Sequence, residues 1–276
     1  MGKKLAIFCD GTWNEASLKE RTNVARLFEA TTNNDGNGSH QLTHYVRSVG
    51  TTRAEKFIGG ATGYGISDNI KNAYSFLVAN YEDGDDLFLF GFSRGAYTAR
   101  SLAGLIRNIG ILKRENLHLI EYGFEQYRDK KDPLWHPDGI LSIAFRRAYS
   151  LGDESIKFLG VWETVGALGV PFGVILATIA DKVFHCSFHD TQLSSWVKSA
   201  YHALAVDERR WPFRPTRWEL NEGHKKANED ASKNGARILP YDEKWFPGVH
   251  SNVGGGYKDT GLSDIALGWM AIRAMG

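Results

Sequence analysis

D-D-L-F-L-F-G-F-S-R-G-A-Y-T-A-R-S-L-A-G-L-I-R, residues 85–107, is the stretch that decides the fold. Leu87 to Phe90 is an apolar run of buried-strand type, Gly91 to Gly95 spells G-x-S-x-G, and from Ala96 apolar residues recur at helical spacing. The order is strand, sharp turn, helix. A serine on such an elbow has its hydroxyl lifted above the sheet edge, and the flanking glycines leave room for a tight backbone. The helix that starts directly behind Ser93 offers free N–H groups and a dipole, both favouring the negative charge of an attacked ester carbonyl. Ser93 is therefore a candidate nucleophile. The bland alternative is an ordinary tight turn, because G-x-S-x-G alone occurs by chance.

The 276 residues suit one large α/β domain, residues 1–276. With 33 basic and 32 acidic residues interspersed and no basic stripe, nucleic acid is not an expected partner. Cys9 and Cys186 lie far apart and fit neither a zinc site nor a disulfide framework, so two reduced thiols are expected. A catalytic Cys9 is disfavoured, since it falls within a predicted strand with no positive neighbour. The apolar run after Met1-Gly2-Lys3-Lys4 is too short for a signal-peptide core, which predicts a mature chain starting here, in the cytoplasm.

Working outward, Leu5 to Cys9 reads as a first strand ending in Asp10-Gly11-Thr12. A D-G-T turn resembles that of haloacid-dehalogenase phosphatases, but their nucleophilic aspartate would stand at Phe8, so that reading fails. Two readings of the turn stay open: a strand-ending turn with Asp10 bonding nearby N–H groups, or an oxyanion loop with the N–H of Gly11 or Thr12 aimed at the reacting oxygen. A helix is expected over 21–31, opened by Thr22 or Asn23, and a strand over 41–49. The glycine-rich segment 59–65 lacks the lysine of a Walker loop and fits a flexible loop near the site better than a nucleotide site. A helix is expected over 66–81, with Ile70, Ala73, Phe76 and Leu77 on one face.

Beyond the elbow helix, residues 111–153 look like an insertion over the sheet, and Ile156 to Trp162 is a strong buried-strand candidate ending in Glu163. A carboxylate just past a central strand needs a partner, since an unpaired buried charge is expensive. Residues 164–180 carry no charge but hold too many glycines, with a proline, for a spanning helix; a lid or acyl-pocket wall within 164–190, touching a lipid surface transiently, is expected. A helix is expected over 190–206, a strand over 216–220 and a surface loop over 221–236. A last short strand within 243–249 runs into a loop starting at His250, and a final helix covers 262–275.

Ser93, Glu163 and His250 thus stand in the order nucleophile, acid, histidine, each at a strand end, as in α/β-hydrolases. His250 would take the serine proton and return it to the leaving alcohol, Glu163 would fix the imidazole, and the N–H of Arg94 would supply half of the oxyanion hole. The second half falls to the Asp10-Gly11-Thr12 loop. Asp207 is the reserve acid, and no cofactor or metal is called for.

Four ordered motifs, F-C-D-G-T-W-N at 8–14, L-F-G-F-S-R-G-A-Y at 89–97, F-L-G-V-W-E-T-V-G-A-L-G at 158–169 and P-G-V-H-S-N-V-G-G-G-Y at 247–257, resemble the α/β-hydrolase family of type VI secretion phospholipase effectors. The resemblance spans nearly the whole chain. It implies a mostly parallel sheet with helices on both faces and a cap or lid, a Ser–acid–His esterase acting on phospholipid or other acyl esters without a cofactor, and export by a signal-independent route. It also implies that the run A-Y-H-A-L-A-V-D-E-R-R, which ends at Arg210, belongs to core packing rather than to a second site. The family pattern has aspartate where this chain has Glu163, and again where it has Asn252 beside the histidine. A non-catalytic module of the same fold, binding lipid or a protein through the apolar segment, is the alternative from another class.

Overall fold

The structure is a computed structural model that describes residues 2–11, 20–47, 64–129, 131–152, 155–165 and 192–275. Its centre is a six-stranded sheet built from β1 (Lys4–Cys9), β2 (Gln41–Val46), β3 (Asp86–Phe92), β4 (Ile156–Trp162), β5 (Ala200–Ala205) and β6 (Tyr241–Phe246), in the order β2-β1-β3-β4-β5-β6. Every neighbouring pair is parallel. All six strands therefore end at the same edge, and the chain reverses order at β1, the arrangement in which parallel sheets place their sites.

Strand alternation sorts the core onto two faces. Leu5, Ile7 and Cys9 of β1, with Leu87 and Leu89 of β3, pack against α2 (Tyr64–Asn80) and α3 (Arg94–Ile109). Ala6, Phe8, Phe90 and Phe92 face the other way, onto α1 (Asn23–Ala30) and α8 (Gly261–Met275). On that second face Phe8, Phe90, Phe158 and Tyr201 form a row across four strands, with successive ring centroids 5.0, 5.3 and 5.3 Å apart. Each such ring removes about 150–250 Å² from water, so this row is a large part of what ties the strands to α8. Thr22 caps α1 by accepting from the N–H of Ala25, 3.0 Å away, which settles the helix start.

The inserted segment 111–152 forms α4 (Ile120–Arg128) and α5 (Ile140–Tyr149) and adds Ile111, Leu112, Phe124 and Phe145 to the first core face. It lies against α2 and α3.

Four expectations for the C-terminal half are corrected. Residues 200–205, predicted helical, form β5, buried on both faces. A strand without an exposed side shows no alternation, so its apolar run cannot be told from a helix by periodicity. Residues 216–220 join no named strand, contributing a single bridge between Gln192 and Glu219. The predicted loop at 221–236 is α6 (Glu222–Lys233), a polar helix whose capping box pairs Asn221 with His224, and whose Asn228 bonds both backbone groups of Tyr241. His250, expected to start a loop, opens the short helix α7 (His250–Gly254). Thr12, Cys186, residues 59–63 and most of the apolar stretch 164–190 lie outside the described residues.

Candidate active site

Ser93 leaves β3 with φ 57° and ψ −122°, and α3 begins at the next residue. Non-glycine residues rarely hold positive φ, so the surroundings must over-determine it. They do. The Ser93 N–H donates to the carbonyl of Trp162 at 3.0 Å, and its own carbonyl accepts from Tyr97. The two flanking glycines are steric requirements: a Cβ on Gly95 would stand 2.1 Å from the carbonyl oxygen of Cys9, and one on Gly91 would stand 2.5 Å from that of Gly95. The elbow is thereby pressed onto the end of β1. The N–H of Arg94 is one of the free donors of the first turn of α3, and burial pushes its guanidinium down to about 10.

Glu163 leaves the adjacent strand β4 in the same manner, with φ 48°. It is fully buried. Its N–H donates to the carbonyl of Ala203 at 2.9 Å, its Oε1 accepts from the N–H of Ala205 at 2.6 Å, and its Oε2 lies 3.2 Å from Nδ1 of His250. Both carboxylate oxygens are thus engaged, which is what makes a buried acid tolerable. Because a carboxylate can only accept, the imidazole proton sits on Nδ1 and Nε2 is left bare, the form needed of a general base.

His250 is 4 % exposed, and its ring is held between Phe92 and Phe213, with centroids 4.7 and 4.9 Å away. Its position is fixed from the end of β5. Asp207 accepts from the N–H of Gly248 at 2.7 Å, and Glu208 accepts from the N–H of His250 at 3.2 Å. Hydrogen bonding to Arg210 holds Glu208 down at about 2, so this clamp is charged at any ordinary pH. Asp207 therefore braces the loop before the histidine, while the ring nitrogen meets Glu163. Asn252 accepts from Val249 at 3.0 Å and caps its own turn. The clamp of Glu208 and the Phe213 wall were missed from sequence; the charged run 207–210 directly after a buried strand was the available signal.

Asp10 is buried at the end of β1 and accepts from the N–H of Gly11 at 2.6 Å, from the hydroxyl of Thr22 at 2.8 Å and from the hydroxyl of Tyr45. Burial drives its carboxyl up to about 6 in spite of these bonds. Gly11 lies directly against the elbow, since a Cβ there would be 3.1 Å from that of Ser93. Its N–H is turned onto Asp10, however, and Thr12, the loop's other expected donor, lies outside the described residues.

A cavity of about 640 Å³ lies farther along α3 among Arg100, Arg107, Tyr127, Trp135 and Leu193, and its lining includes none of the three site residues. Hydrogen bonding, not volume, locates the site. Among the described residues no group of three His, Cys, Asp or Glu is arranged to hold a metal, and no helix is long and apolar enough to cross a membrane.

Comparison with known proteins bears on the same chain. An uncharacterized protein of Saccharomyces cerevisiae is 26% identical over 233 residues, covering 77% of this chain and 32% of that protein. The crystal structure of an uncharacterized protein from Pseudomonas aeruginosa superposes with a TM-score of 0.55 at 20% identity, covering 99% of this chain and 46% of that one, a likeness of fold. The Tle1 effector, solved bound to the VgrG spike of the type 6 secretion system, matches at a TM-score of 0.48 and 20% identity over 94% of this chain and 52% of that one. The chain thus spans about a third of the yeast protein and under half of the Pseudomonas one. The sequence model of the family described as T6SS phospholipase effector Tle1-like, catalytic domain, matches residues 3–273. With that match over nearly its full length, the chain belongs to the Tle1-like phospholipase effector family through that family's catalytic domain.

Proposed function

We propose that this chain is a serine carboxylic-ester hydrolase acting on lipid-type acyl esters, with Ser93 as nucleophile, His250 as general base and acid, and Glu163 as the residue that orients the imidazole. The observation that carries the reading is the contact of His250 Nδ1 with Glu163 Oε2, at strand ends beside a serine held in an elbow. His250 Nε2 takes the proton as Ser93 Oγ attacks the ester carbonyl. The oxyanion forms at the N-terminus of α3, where the N–H of Arg94 is one donor; Thr12, expected from the sequence as the other, lies outside the described residues. Collapse expels the alcohol with the proton from His250 and leaves an acyl-enzyme; water, deprotonated by the same nitrogen, releases the acid.

Family membership supports a phospholipid as substrate and delivery by a signal-independent secretion route, and the uncharged composition of 164–180 supports that segment as a transient contact with a lipid surface. The test is turnover of p-nitrophenyl acyl esters and phospholipid vesicles by wild type and Ser93→Ala side by side. We expect the variant to lose about 10⁴-fold or more in kcat while its circular dichroism is unchanged. Full activity in a folded Ser93→Ala would end this reading in favour of a non-catalytic module or another nucleophile.

A further inference from the structure

A second histidine–glutamate pair, its imidazole fully buried, meets the chain one residue from the candidate acid. His202 lies on β5 and is fully buried. Its Nε2 is 3.2 Å from the backbone nitrogen of Thr164 and 3.2 Å from that residue's hydroxyl, and its Nδ1 is 3.1 Å from Oε1 of Glu243 on β6. A backbone N–H can only donate, so Nε2 is the bare nitrogen and Nδ1 carries the proton to Glu243. Glu243 in turn accepts from Arg217 at 2.8 Å and from the N–H of Trp218 at 3.3 Å. Glu243 thus accepts from both Arg217 and His202, and His202 accepts from Thr164, so every donor in the chain meets an acceptor.

β5 holds the turn after β4 at three points. Two are backbone groups, the carbonyl of Ala203 bound to the Glu163 N–H and the N–H of Ala205 bound to Glu163 Oε1. Any sequence in β5 would supply those. The third, on the N–H of the next residue, is a side chain. Glu163 has φ 48°, so the peptide leaving it is rotated away from the sheet ladder and its N–H finds no strand carbonyl in line. Without an acceptor this buried N–H would favour relaxation of the turn, and relaxation would draw the carboxylate off His250.

We infer that His202, oriented by Glu243, is a positioning residue that holds the Glu163 turn in its strained form and so keeps the acid in contact with the base. This rests on the esterase reading above, and it acts through Glu163 without touching substrate. Its signature is a loss in kcat at each competent site with substrate affinity unchanged, whereas a merely structural histidine would lower only the number of competent sites.

The experiment measures kcat and KM on a p-nitrophenyl acyl ester, normalised to serines titrated with a fluorophosphonate, for wild type, His202→Phe, His202→Gln, Glu243→Gln and Ser93→Ala. The phenyl ring keeps the volume and loses the acceptor; glutamine keeps an acceptor and a donor. We expect His202→Phe to lose about tenfold or more in kcat per titrated site with KM within about twofold, and His202→Gln to return to within about threefold of wild type. Should His202→Phe not fold, Glu243→Gln carries the test with about a fivefold loss, because a neutral amide, able to present either an oxygen or an N–H, no longer fixes the proton on Nδ1 as the carboxylate does. Wild-type kcat per site in His202→Phe, or in Glu243→Gln where the former does not fold, overturns the inference, as does an equal loss in the phenylalanine and glutamine variants. An inactive Ser93→Ala beside such a result shows that the inference alone has failed; an active Ser93→Ala shows that the esterase reading has failed first.

Discussion

Asp10 and His202 are both buried titrating groups, and their linkage to stability has opposite sign. The carboxyl of Asp10 is raised to about 6 by burial, so the unfolded chain gives up this proton more readily, and stability falls as pH rises from about 4 to about 6. His202 is lowered to about 4, chiefly by burial, so the unfolded chain takes up this proton more readily; its contribution is complete above about 6.5 and is lost as pH falls towards about 4. Each effect is on the order of 2–3 kcal/mol, and in the shared window they offset one another. Asp10→Asn removes one side of the balance. Urea unfolding of that variant should show stability climbing more steeply between about pH 4.5 and 6.5 than in wild type, and an unchanged slope would contradict the assignment. Burial also pushes the Cys9 thiol far above its ordinary range, so iodoacetamide should modify Cys9 only after denaturation, as peptide mapping would read. At this scale the candidate nucleophile, acid and base were legible because each breaks a strand-end pattern with a residue of the wrong polarity. His202 was not, because it sits inside an apolar run where one histidine reads as core. Gly11 was legible as a neighbour of the site, yet the direction of its N–H was not, since that depends on which acceptor wins.

Elements show what the pattern of apolar residues can and cannot encode. The elbow was legible because strand, G-x-S-x-G and helix meet without a spacer, and the structure gives the reason for the second glycine in the closeness of Cys9. Gly95→Ala forces backbone against backbone and should cost about 2–4 kcal/mol, together with most of the activity. Gly268 in α8 is the control, a position where an added Cβ would meet nothing within 4 Å. Gly268→Ala should raise stability by about 0.5–1 kcal/mol without altering turnover. Thermal melts of the two variants with an ester assay check both. β5 and α6 were misread for opposite reasons. The strand is buried on both faces and shows no period, while the helix is almost wholly polar and owes its start to a capping box and its place to the bonds between Asn228 and Tyr241 of β6.

Over the whole molecule, parallel pairing brings the ends of β1, β3, β4, β5 and β6 to one edge, and that alone collects residues 10, 93, 163, 207 and 250 from across the sequence. Sequence order could therefore indicate that Glu163 and Asp207 compete for the same histidine, but only the sheet shows how they divide: Glu163 on the ring, Asp207 on the Gly248 N–H. Glu163→Gln should accordingly lower kcat by about 10⁴-fold, whereas Asp207→Asn should cost no more than about tenfold through the loop it braces. Steady-state kinetics on the two folded variants distinguish them, and a reversed order would make Asp207 the acid. The central claim is that Ser93 is activated by this constellation. The most direct measurement is peptide mapping by mass spectrometry after a brief exposure of the folded protein to a fluorophosphonate. One stoichiometric adduct is expected, on Ser93, formed in step with loss of ester turnover and greatly slowed in Glu163→Gln; an unmodified Ser93 in protein that has lost its activity, or labelling of Ser93 at equal rate in the two proteins, would contradict activation of this serine.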